Sequence, residues 1–426
     1  MKGRAFALEQ ARDLEPLIDR IRSARIVMLG ESSHGTQEYY EWRRIITDWL
    51  ITKHGFGFVA VEGDWPPCQA IDDYVRSGWK GGNARQVLES FKRWPTWMWA
   101  NTEMVRMVEW MKSHNQRRQL KAGFHGLDVY SLFESISEVI ERTEKFDRFL
   151  SRRVAASYGC FDPYHGDEKH YARSLLEYPE GCRAEVMEAL QALLEKRLNV
   201  NQAQEGAVFD ARQNARIVAN AEDYYRKMTV GSVQSWNVRD THMLETLDVL
   251  LDHYGPQSKA VVWAHNTHIG DYRATDMARK GLVSLGGLAR EKYGDDAVAL
   301  VGFGTHRGSV VASQAWSGPT EQMQLPPARS GSLEEAYHRI VSDKNAPNLI
   351  TIFNRDDRDG ALSHVVDHRA VGVVYQGKHE LLGNYVPTSL AKRYDAFLYF
   401  DETNVLEPLI QSFDDRDVPE TYPAGV

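Results

Sequence analysis

Several features that mark other classes of protein are scarce in this sequence or missing from it. The chain has only three cysteines, Cys68, Cys160 and Cys182, and none stands in a CxxC pair or near a zinc spacing, so we expect no disulfide framework. No run of about 18 apolar residues occurs, and the first residues, MKGRAFALEQARDLEPLIDRI, contain no apolar signal core. We therefore expect a cytoplasmic protein that has no membrane partner.

Positive charge is also in short supply, because 51 Lys and Arg residues stand against 59 Asp and Glu, which gives a net charge of -8. This balance argues against nucleic acid as the main partner, although it does not exclude a small anionic substrate. What the chain does contain is apolar: 42% of its 426 residues are hydrophobic and 11% are aromatic. Such a chain can form one large domain or two ordinary ones with a sizeable core.

Four short apolar runs, each typical of a buried strand, end in carboxylate or imidazole side chains. The four runs are Arg25–Leu29, Phe58–Val61, Leu120–Phe124 and Lys259–Ala264. The first is followed by Glu31 and His34, the second by Glu62 and Asp64, the third by His125 and Asp128, and the fourth by His265, Asn266 and His268. In a parallel α/β sheet the carboxyl ends of the strands lie at one edge, and ligands bind there. We therefore predict a mostly parallel sheet flanked by helices, with these side chains in one cleft.

Between the third and fourth runs the pattern becomes helical, from about Ser131 to Tyr254. This stretch is too long for a simple crossover, so we predict a helical insertion at residues 131–254 that serves as a cap or lid. Residues 1–130 and 255–426 then form the α/β core. Arg239 and Asp240, inside the insertion, either lie on a solvated surface or pair and face the cleft. Further strand candidates follow at Ala297–Phe303, Gly308–Ser313, Asn348–Phe353, Val371–Tyr375 and Asp395–Phe400.

Carboxylates and histidines together in one cleft are the residue types of acid–base catalysis. A neighbouring carboxylate orients an imidazole, which can then take a proton from water as the water attacks a carbonyl carbon. A nucleophilic Ser32 or Ser33 agrees less well with the sequence, because GESSHG has its second glycine one residue late for the G-x-S-x-G pattern. Two alternatives stay open: a divalent metal ion bound by the strand-end side chains, and a binding protein that has lost turnover.

Four segments taken together resemble the erythromycin esterase family: GESSHGTQEYYEWR, VAVEGDWP, FHGLDVY and VVWAHNTHIGD. The resemblance covers nearly the whole chain, and its C-terminal segments are more similar to the broad, uncharacterised branch than to the antibiotic-resistance enzymes. It implies an α/β core with a helical insertion, and in the macrolide-hydrolysing members a lactone ring opened by water that a histidine activates. The family's essential residues fall on Glu31, His34, Arg43, Glu62, His265 and His268.

From the residues and the resemblance we predict a hydrolase of ester or lactone bonds that forms no covalent intermediate. The predicted catalytic residues are Glu31, His34, Glu62 and His265, and the predicted substrate-binding residues are Arg43, His125, Asp128, Asn266 and His268. In this hypothesis His34 is the general base, Glu31 or Glu62 orients its ring, and His265 or His268 donates to the oxyanion or the leaving alkoxide. We expect a small-molecule substrate, no cofactor and no metal; the sequence does not indicate the oligomeric state.

Overall fold

The computed structural model describes residues 2–77, 82–195 and 202–409, and the description below concerns these residues. Their strands are β1 (Ala5–Ala7), β2 (Ile26–Leu29), β3 (Phe58–Val61), β4 (Gly123–Gly126), β5 (Ala260–Trp263), β6 (Val298–Ala312), β7 (Glu321–Leu325), β8 (Asn348–Ile352), β9 (Val365–Arg369), β10 (Tyr385–Ser389) and β11 (Ala396–Thr403).

The helices before the insertion are α1 (Glu15–Ile21), α2 (Gln37–His54), α3 (Trp65–Ser77), α4 (Ala84–Leu88) and α5 (Thr102–Gln116). Those within it are α6 (Leu132–Glu144), α7 (Arg148–Tyr158), α8 (Glu168–Ser174), α9 (Arg183–Glu195), α10 (Gln202–Met228) and α11 (Ser232–His253). Those after it are α12 (Asn266–Ile269), α13 (Met277–Lys280), α14 (Leu285–Tyr293), α15 (Leu333–Lys344), α16 (Glu380–Gly383) and α17 (Leu390–Arg393).

The main sheet runs in the order β1-β8-β11-β6-β2-β5-β3-β4, and β7 pairs with β6. Neighbouring strands from β11 to β4 are parallel, whereas β8, β1 and β7 pair antiparallel with their neighbours. Strands β9 and β10 form a separate antiparallel pair. The prediction of a mostly parallel sheet flanked by helices is confirmed.

The central strands are apolar along their whole length because helices cover both faces of the sheet. In β2, Val27 and Leu29 belong to the core on one face, and Ile26 and Met28 belong to the core on the other. Strands β3 and β5 are likewise fully buried. Such continuous apolar runs are typical of parallel strands, and each buried side chain of this size contributes about 1.5–3 kcal/mol. A stable sheet edge can therefore hold the polar segments that follow the strands.

The described part of residues 131–254 consists of helices joined by turns and contains no strand, and helices α6 to α11 enclose an apolar core of their own. Residues 196–201 of this stretch lie outside the described residues. Cys160 and Cys182 form a disulfide within it, so one disulfide is present although no disulfide framework was expected, and Cys68 is a buried free cysteine. None of the helices in the described ranges has the length and hydrophobicity to cross a lipid bilayer.

Two strand predictions after the insertion were wrong. Ala297–Phe303 and Gly308–Ser313 were predicted as separate strands, but they join in the single strand β6, which ends at Ala312. Gly308, at φ 144°, lets the backbone of Thr403 in β11 approach so closely that a Cβ would lie 2.1 Å from its carbonyl oxygen. Val371–Tyr375 forms only isolated bridges, one of which joins Val371 to Ser33.

Candidate functional site

The carboxyl ends of β2, β5, β3 and β4 lie side by side, and the four segments that follow them meet at this edge of the sheet. Here the structure brings together Glu31, His34, Glu62 and His265. All four are buried, and the side chains of His34 and His265 are 0% exposed. The predicted cleft is therefore closed to solvent in this structure.

Glu31 connects His34 to an arginine on the helix that follows the loop. His34 Nδ1 lies 3.0 Å from Glu31 Oε1, and Arg43 Nη2 donates to Glu31 Oε2 at 2.8 Å. The Arg43 guanidinium also lies over the rings of Tyr40 and Trp263, 4.5 Å and 4.8 Å from their centroids. Arg43 is thus held in the position from which it pairs with Glu31.

The contacts of His34 define the role of each ring nitrogen. A carboxylate only accepts hydrogen bonds, so Nδ1 of His34 carries the proton that it donates to Glu31. In the neutral ring Nε2 is then an acceptor with a free lone pair. Nε2 is buried and hydrogen-bonds no atom of the described part of the chain. His34 therefore presents a basic nitrogen to the interior of the site.

His265 presents a hydrogen-bond donor, whereas His34 presents an acceptor. Its Nδ1 lies 2.8 Å from the Thr267 hydroxyl and accepts the Thr267 backbone N–H at 3.3 Å, so in the neutral ring Nε2 carries the proton. Burial lowers the pKa of His265 well below its ordinary value, and neighbouring His34 lowers it further. The neutral ring thus offers Nε2–H as a donor. This atom makes no hydrogen bond of normal geometry within the described ranges, although the Ser32 backbone is near enough to the ring to raise its pKa slightly against burial.

The two rings face one another across the site. Their centroids are 4.9 Å apart and their planes are inclined by 39°. One ring has an acceptor at Nε2 and the other has a donor at Nε2. Such a pair can remove a proton from one reactant and hydrogen-bond an oxygen that becomes negative during the reaction.

Glu62 joins an arginine of the insertion to the backbone of His265. Its Oε1 accepts from Arg239 Nη2 at 2.6 Å, and its Oε2 accepts the His265 N–H at 2.7 Å. Burial alone would raise the pKa of Glu62, but His268 and Arg239 outweigh burial and lower the pKa below its ordinary value. Arg239 also donates from Nε and Nη2 to the two carboxylate oxygens of Asp128, at 2.9 Å and 2.7 Å. Asp128 thus lies at the site as a partner of Arg239.

His268 lies at the wall of the site between an aspartate and an aromatic ring. Its Nδ1 is 2.9 Å and 3.0 Å from the two carboxylate oxygens of Asp240, and Trp236 stacks on its ring at a centroid distance of 4.5 Å. Burial would lower the pKa of His268, but the carboxylates of Asp240 and Glu62 outweigh burial and raise it.

The structure does not bring His125 to the site, so this prediction needs correction. Strand β4 extends to Gly126, and His125 lies within the strand rather than after it. Its Nε2 hydrogen-bonds the Tyr254 hydroxyl at 2.9 Å, and its ring stacks on Trp65. Because side chains alternate between the two faces of a strand, an end misplaced by two residues leaves His125 inside the sheet layer. Burial lowers its pKa well below the ordinary value.

Asn266 lies beside the site, but its amide is engaged elsewhere. Its Nδ2 donates to the Phe303 carbonyl at 2.7 Å, and its Oδ1 accepts the Phe303 N–H at 3.2 Å. The side chain passes over Gly30, where a Cβ would lie 2.1 Å from Oδ1. This amide therefore joins the β5 end to β6, which does not favour the predicted role in substrate binding.

Three residues of the site, Trp236, Arg239 and Asp240, were not among the predicted site residues. All come from α11 of the insertion, and Arg239 is 2% exposed. The signal in the sequence was a pair of adjacent opposite charges in a helical pattern, for which a solvated surface was one of two interpretations. Buried charges of this kind require partners, and here the partners are Asp128, Glu62 and His268.

An open cavity of about 930 Å³ lies at the opposite edge of the sheet, where β3, β4 and β5 begin. Its lining includes Phe56, Arg76, Lys121 and Tyr254. Volume alone does not identify a catalytic site, and the complementary imidazoles lie at the closed edge. Among the described residues, no group of three or more His, Cys, Asp or Glu side chains is arranged to hold a metal ion.

Comparison with known proteins gives a consistent picture. The model of the erythromycin esterase family matches residues 51–403. Erythromycin esterase type II of Escherichia coli is 20% identical over 93% of this chain and 93% of its own length, and erythromycin esterase type I of Escherichia coli is 22% identical over 72% and 76%.

Solved structures share the fold at similarly low identity. A succinoglycan biosynthesis protein superposes with a TM-score of 0.76 at 20% identity, over 95% of this chain and 96% of its own. A mutant of erythromycin esterase EreC, in its open conformation, superposes with a TM-score of 0.65 at 17% identity, over 96% and 97%. These likenesses establish the α/β fold with its helices.

Proposed function

The chain belongs to the erythromycin esterase family, and on that premise we propose that it is a hydrolase that cleaves a carboxylic ester or a lactone with a water molecule activated by His34. The observation that carries the proposal is the pair of buried imidazoles, one with a free acceptor and one with a free donor, whose ring centroids are 4.9 Å apart. The acceptor can take a proton from the attacking water, and the donor can hydrogen-bond the acyl oxygen as it becomes negative.

In the proposed reaction, His34 Nε2 takes a proton from water while the water oxygen forms a bond to the acyl carbon. Glu31 and Arg43 hold the ring in place, and the Glu31 carboxylate stabilises the imidazolium. The Nε2–H of His265 donates to the oxygen that becomes negative. The bond to the leaving alkoxide then breaks, and the proton held by His34 goes to that alkoxide, which gives an acid and an alcohol.

The contacts of the two loop serines favour direct attack by water over a serine nucleophile. The Ser32 hydroxyl lies 2.6 Å from the Tyr39 hydroxyl, and the Ser33 hydroxyl hydrogen-bonds that of Thr36. A nucleophilic serine is instead activated by a base within hydrogen-bond reach of its oxygen. We therefore propose that no acyl-enzyme forms.

Substrate entry requires a movement, because the site is closed. Helix α11 contributes Trp236 and Arg239 to the wall, and Arg93 joins Asp64, which follows β3, to Glu168 of the insertion at 2.8 Å each. We propose that the insertion moves as a lid over the carboxyl edge of the sheet. The related EreC structure, described as open, supports such a movement.

A panel of activated esters, lactones and macrolides tests the proposal, with each compound incubated with and without chelator. The expected result is formation of the acid from at least one ester or lactone, at a rate that chelator leaves unchanged. Activity that disappears on chelation and returns with a divalent ion would favour a metal-dependent hydrolase. Binding of a panel compound without any product would favour a protein that has lost turnover.

A further inference from the structure

Helix α11 sends two adjacent charged side chains into the site, and each contacts a different edge of the His268 ring. We propose that Asp240 is a positioning residue that fixes the proton of His268 on Nδ1 and thereby holds Arg239 against Glu62. The inference rests on the proposed function, which it deepens by making part of the insertion necessary for the geometry of the catalytic histidines.

The first step is the contact between Asp240 and His268. Both carboxylate oxygens lie within 3.0 Å of His268 Nδ1, and one of them also accepts the Leu285 backbone N–H at 2.8 Å. Because a carboxylate only accepts, Nδ1 carries a proton in either charge state of the ring. Stacking on Trp236, with only 10° between the planes, restricts tilting of the ring.

The second step is the contact on the other edge of the ring. Arg239 Nη1 lies 3.0 Å from His268 Nε2, and an arginine N–H can only donate. In the neutral ring Nε2 therefore accepts from Arg239. A ring with its single proton on Nε2 would place two donors face to face, so the contact between Arg239 Nη1 and His268 depends on the tautomer that Asp240 selects, whereas Asp128 holds Nε and Nη2 of the same arginine.

The third step connects Arg239 to the catalytic histidine. Its Nη2 donates to Glu62 Oε1 at 2.6 Å, and Glu62 Oε2 accepts the backbone N–H of His265 at 2.7 Å. The backbone of His265 determines where its Nε2–H points. Asp240 thus acts on the donor of the proposed reaction through His268, Arg239 and Glu62, without contact with the reacting atoms.

The variant Asp240→Asn tests this chain of contacts. Since one oxygen must keep accepting the Leu285 N–H, the new amide nitrogen takes the position 2.9 Å from His268 Nδ1. One of the two acceptors beside Nδ1 is thereby replaced by a donor, which disfavours the proton on Nδ1 and favours the tautomer with its proton on Nε2, which opposes Arg239. We expect kcat to fall about 10- to 100-fold, the size of effect seen when metal-bound histidines lose the carboxylate that orients them, while KM stays nearly constant.

A double variant separates a positioning role from a general loss of stability. If Asp240 acts through His268, Asp240→Asn should lower kcat little further once His268→Ala is present. Losses that multiply would overturn the proposal. The matched control is Asp210→Asn, which alters another buried carboxylate of the insertion, one that pairs with Arg142 at 3.1 Å. Its kcat should equal that of the unaltered protein, and a comparable loss there would also overturn the proposal.

A measurement without turnover keeps this inference separate from the proposed function. In the protein labelled with ¹⁵N-histidine, and assigned with His268→Gln, the spectrum of His268 reports which ring nitrogen is protonated. At a pH high enough for the ring to be neutral, we expect Nδ1–H with an unprotonated Nε2 in the unaltered protein, and a shift of the proton towards Nε2 in Asp240→Asn. A neutral His268 with its proton on Nε2 in the unaltered protein overturns the inference, even if Asp240→Asn does not fold and whether or not an ester is hydrolysed.

Discussion

The hydrogen bond between Glu31 and His34 determines which nitrogen of His34 can act as a base, and Glu31→Gln changes it without changing the shape of the side chain. Arg43 donates to Glu31 Oε2 at 2.8 Å, so the amide oxygen of the glutamine must face Arg43. The amide nitrogen then takes the place of Oε1, 3.0 Å from His34 Nδ1. It donates to Nδ1, so the proton of the neutral ring moves to Nε2 and the free lone pair is lost.

The size of the effect follows from the role assigned to that lone pair. Loss of a general base lowers turnover by about 10²–10⁴-fold, and an amide in place of the carboxylate behind a catalytic histidine reaches about 10⁴-fold. This corresponds to about 2.7–5.5 kcal/mol of transition-state stabilisation. KM should change little, because the contacts of Glu31 are with His34 and Arg43, and the proposed reaction gives it no contact with substrate.

The assay is steady-state hydrolysis of the best substrate of the ester and lactone panel, with thermal unfolding measured in parallel. The matched control is Glu103→Gln, a change of the same shape at a buried carboxylate on α5 that pairs with Arg106 at 2.6 Å. The control should keep its activity. If Glu31→Gln folds normally and keeps kcat within about tenfold of the unaltered protein, below the range for losing a base, the tautomer argument is refuted.

Further predictions concern Arg43, the loop serines and the stability of the insertion. Arg43→Lys should lower kcat about tenfold but leave thermal unfolding nearly unchanged, because lysine lacks the planar fork that pairs with Glu31; equal activity would refute the role. Ser32→Ala should keep most activity, and stopped-flow measurements with an activated ester should show no stoichiometric burst. Burial raises the pKa of Asp210 to about 7. Between about pH 4 and 7 the folded protein therefore holds a proton that the unfolded chain has released, so the free energy of unfolding falls as the pH rises through this range. In urea unfolding, Asp210→Asn should therefore be more stable than the unaltered protein by about 1–4 kcal/mol at pH 8 and nearly equal at pH 4, and a loss at both pH values would contradict this reasoning.

The sheet edge could be predicted because its signals are local in the sequence. Each run from Arg25, Phe58 and Lys259 is apolar without alternation and ends abruptly in titratable side chains, which is typical of parallel strands buried on both faces. Parallel pairing then places the strand ends together whatever the order of the strands. For this reason Glu31, His34, Glu62 and His265 could be grouped before their contacts were known.

What the sequence did not determine depends on boundaries and on docking between distant segments. A strand end displaced by two residues assigned His125 to the site, whereas its ring hydrogen-bonds Tyr254. The approach of Thr403 to Gly308, which keeps β6 continuous, comes from a strand far along the chain. Arg239 and Asp240 lie in a helical pattern that does not by itself indicate which face meets the sheet, so their contacts with Glu62 and His268 required the tertiary structure.

The central claim is that His34 activates the attacking water, and the rate of ester hydrolysis by His34→Ala tests it most directly. The substrate is one that the unaltered protein hydrolyses, and thermal unfolding establishes that the variant is folded. We predict that kcat falls about 10²–10⁴-fold, because the free acceptor beside His265 is removed. A folded His34→Ala protein that hydrolyses the same ester at the rate of the unaltered protein would contradict the account.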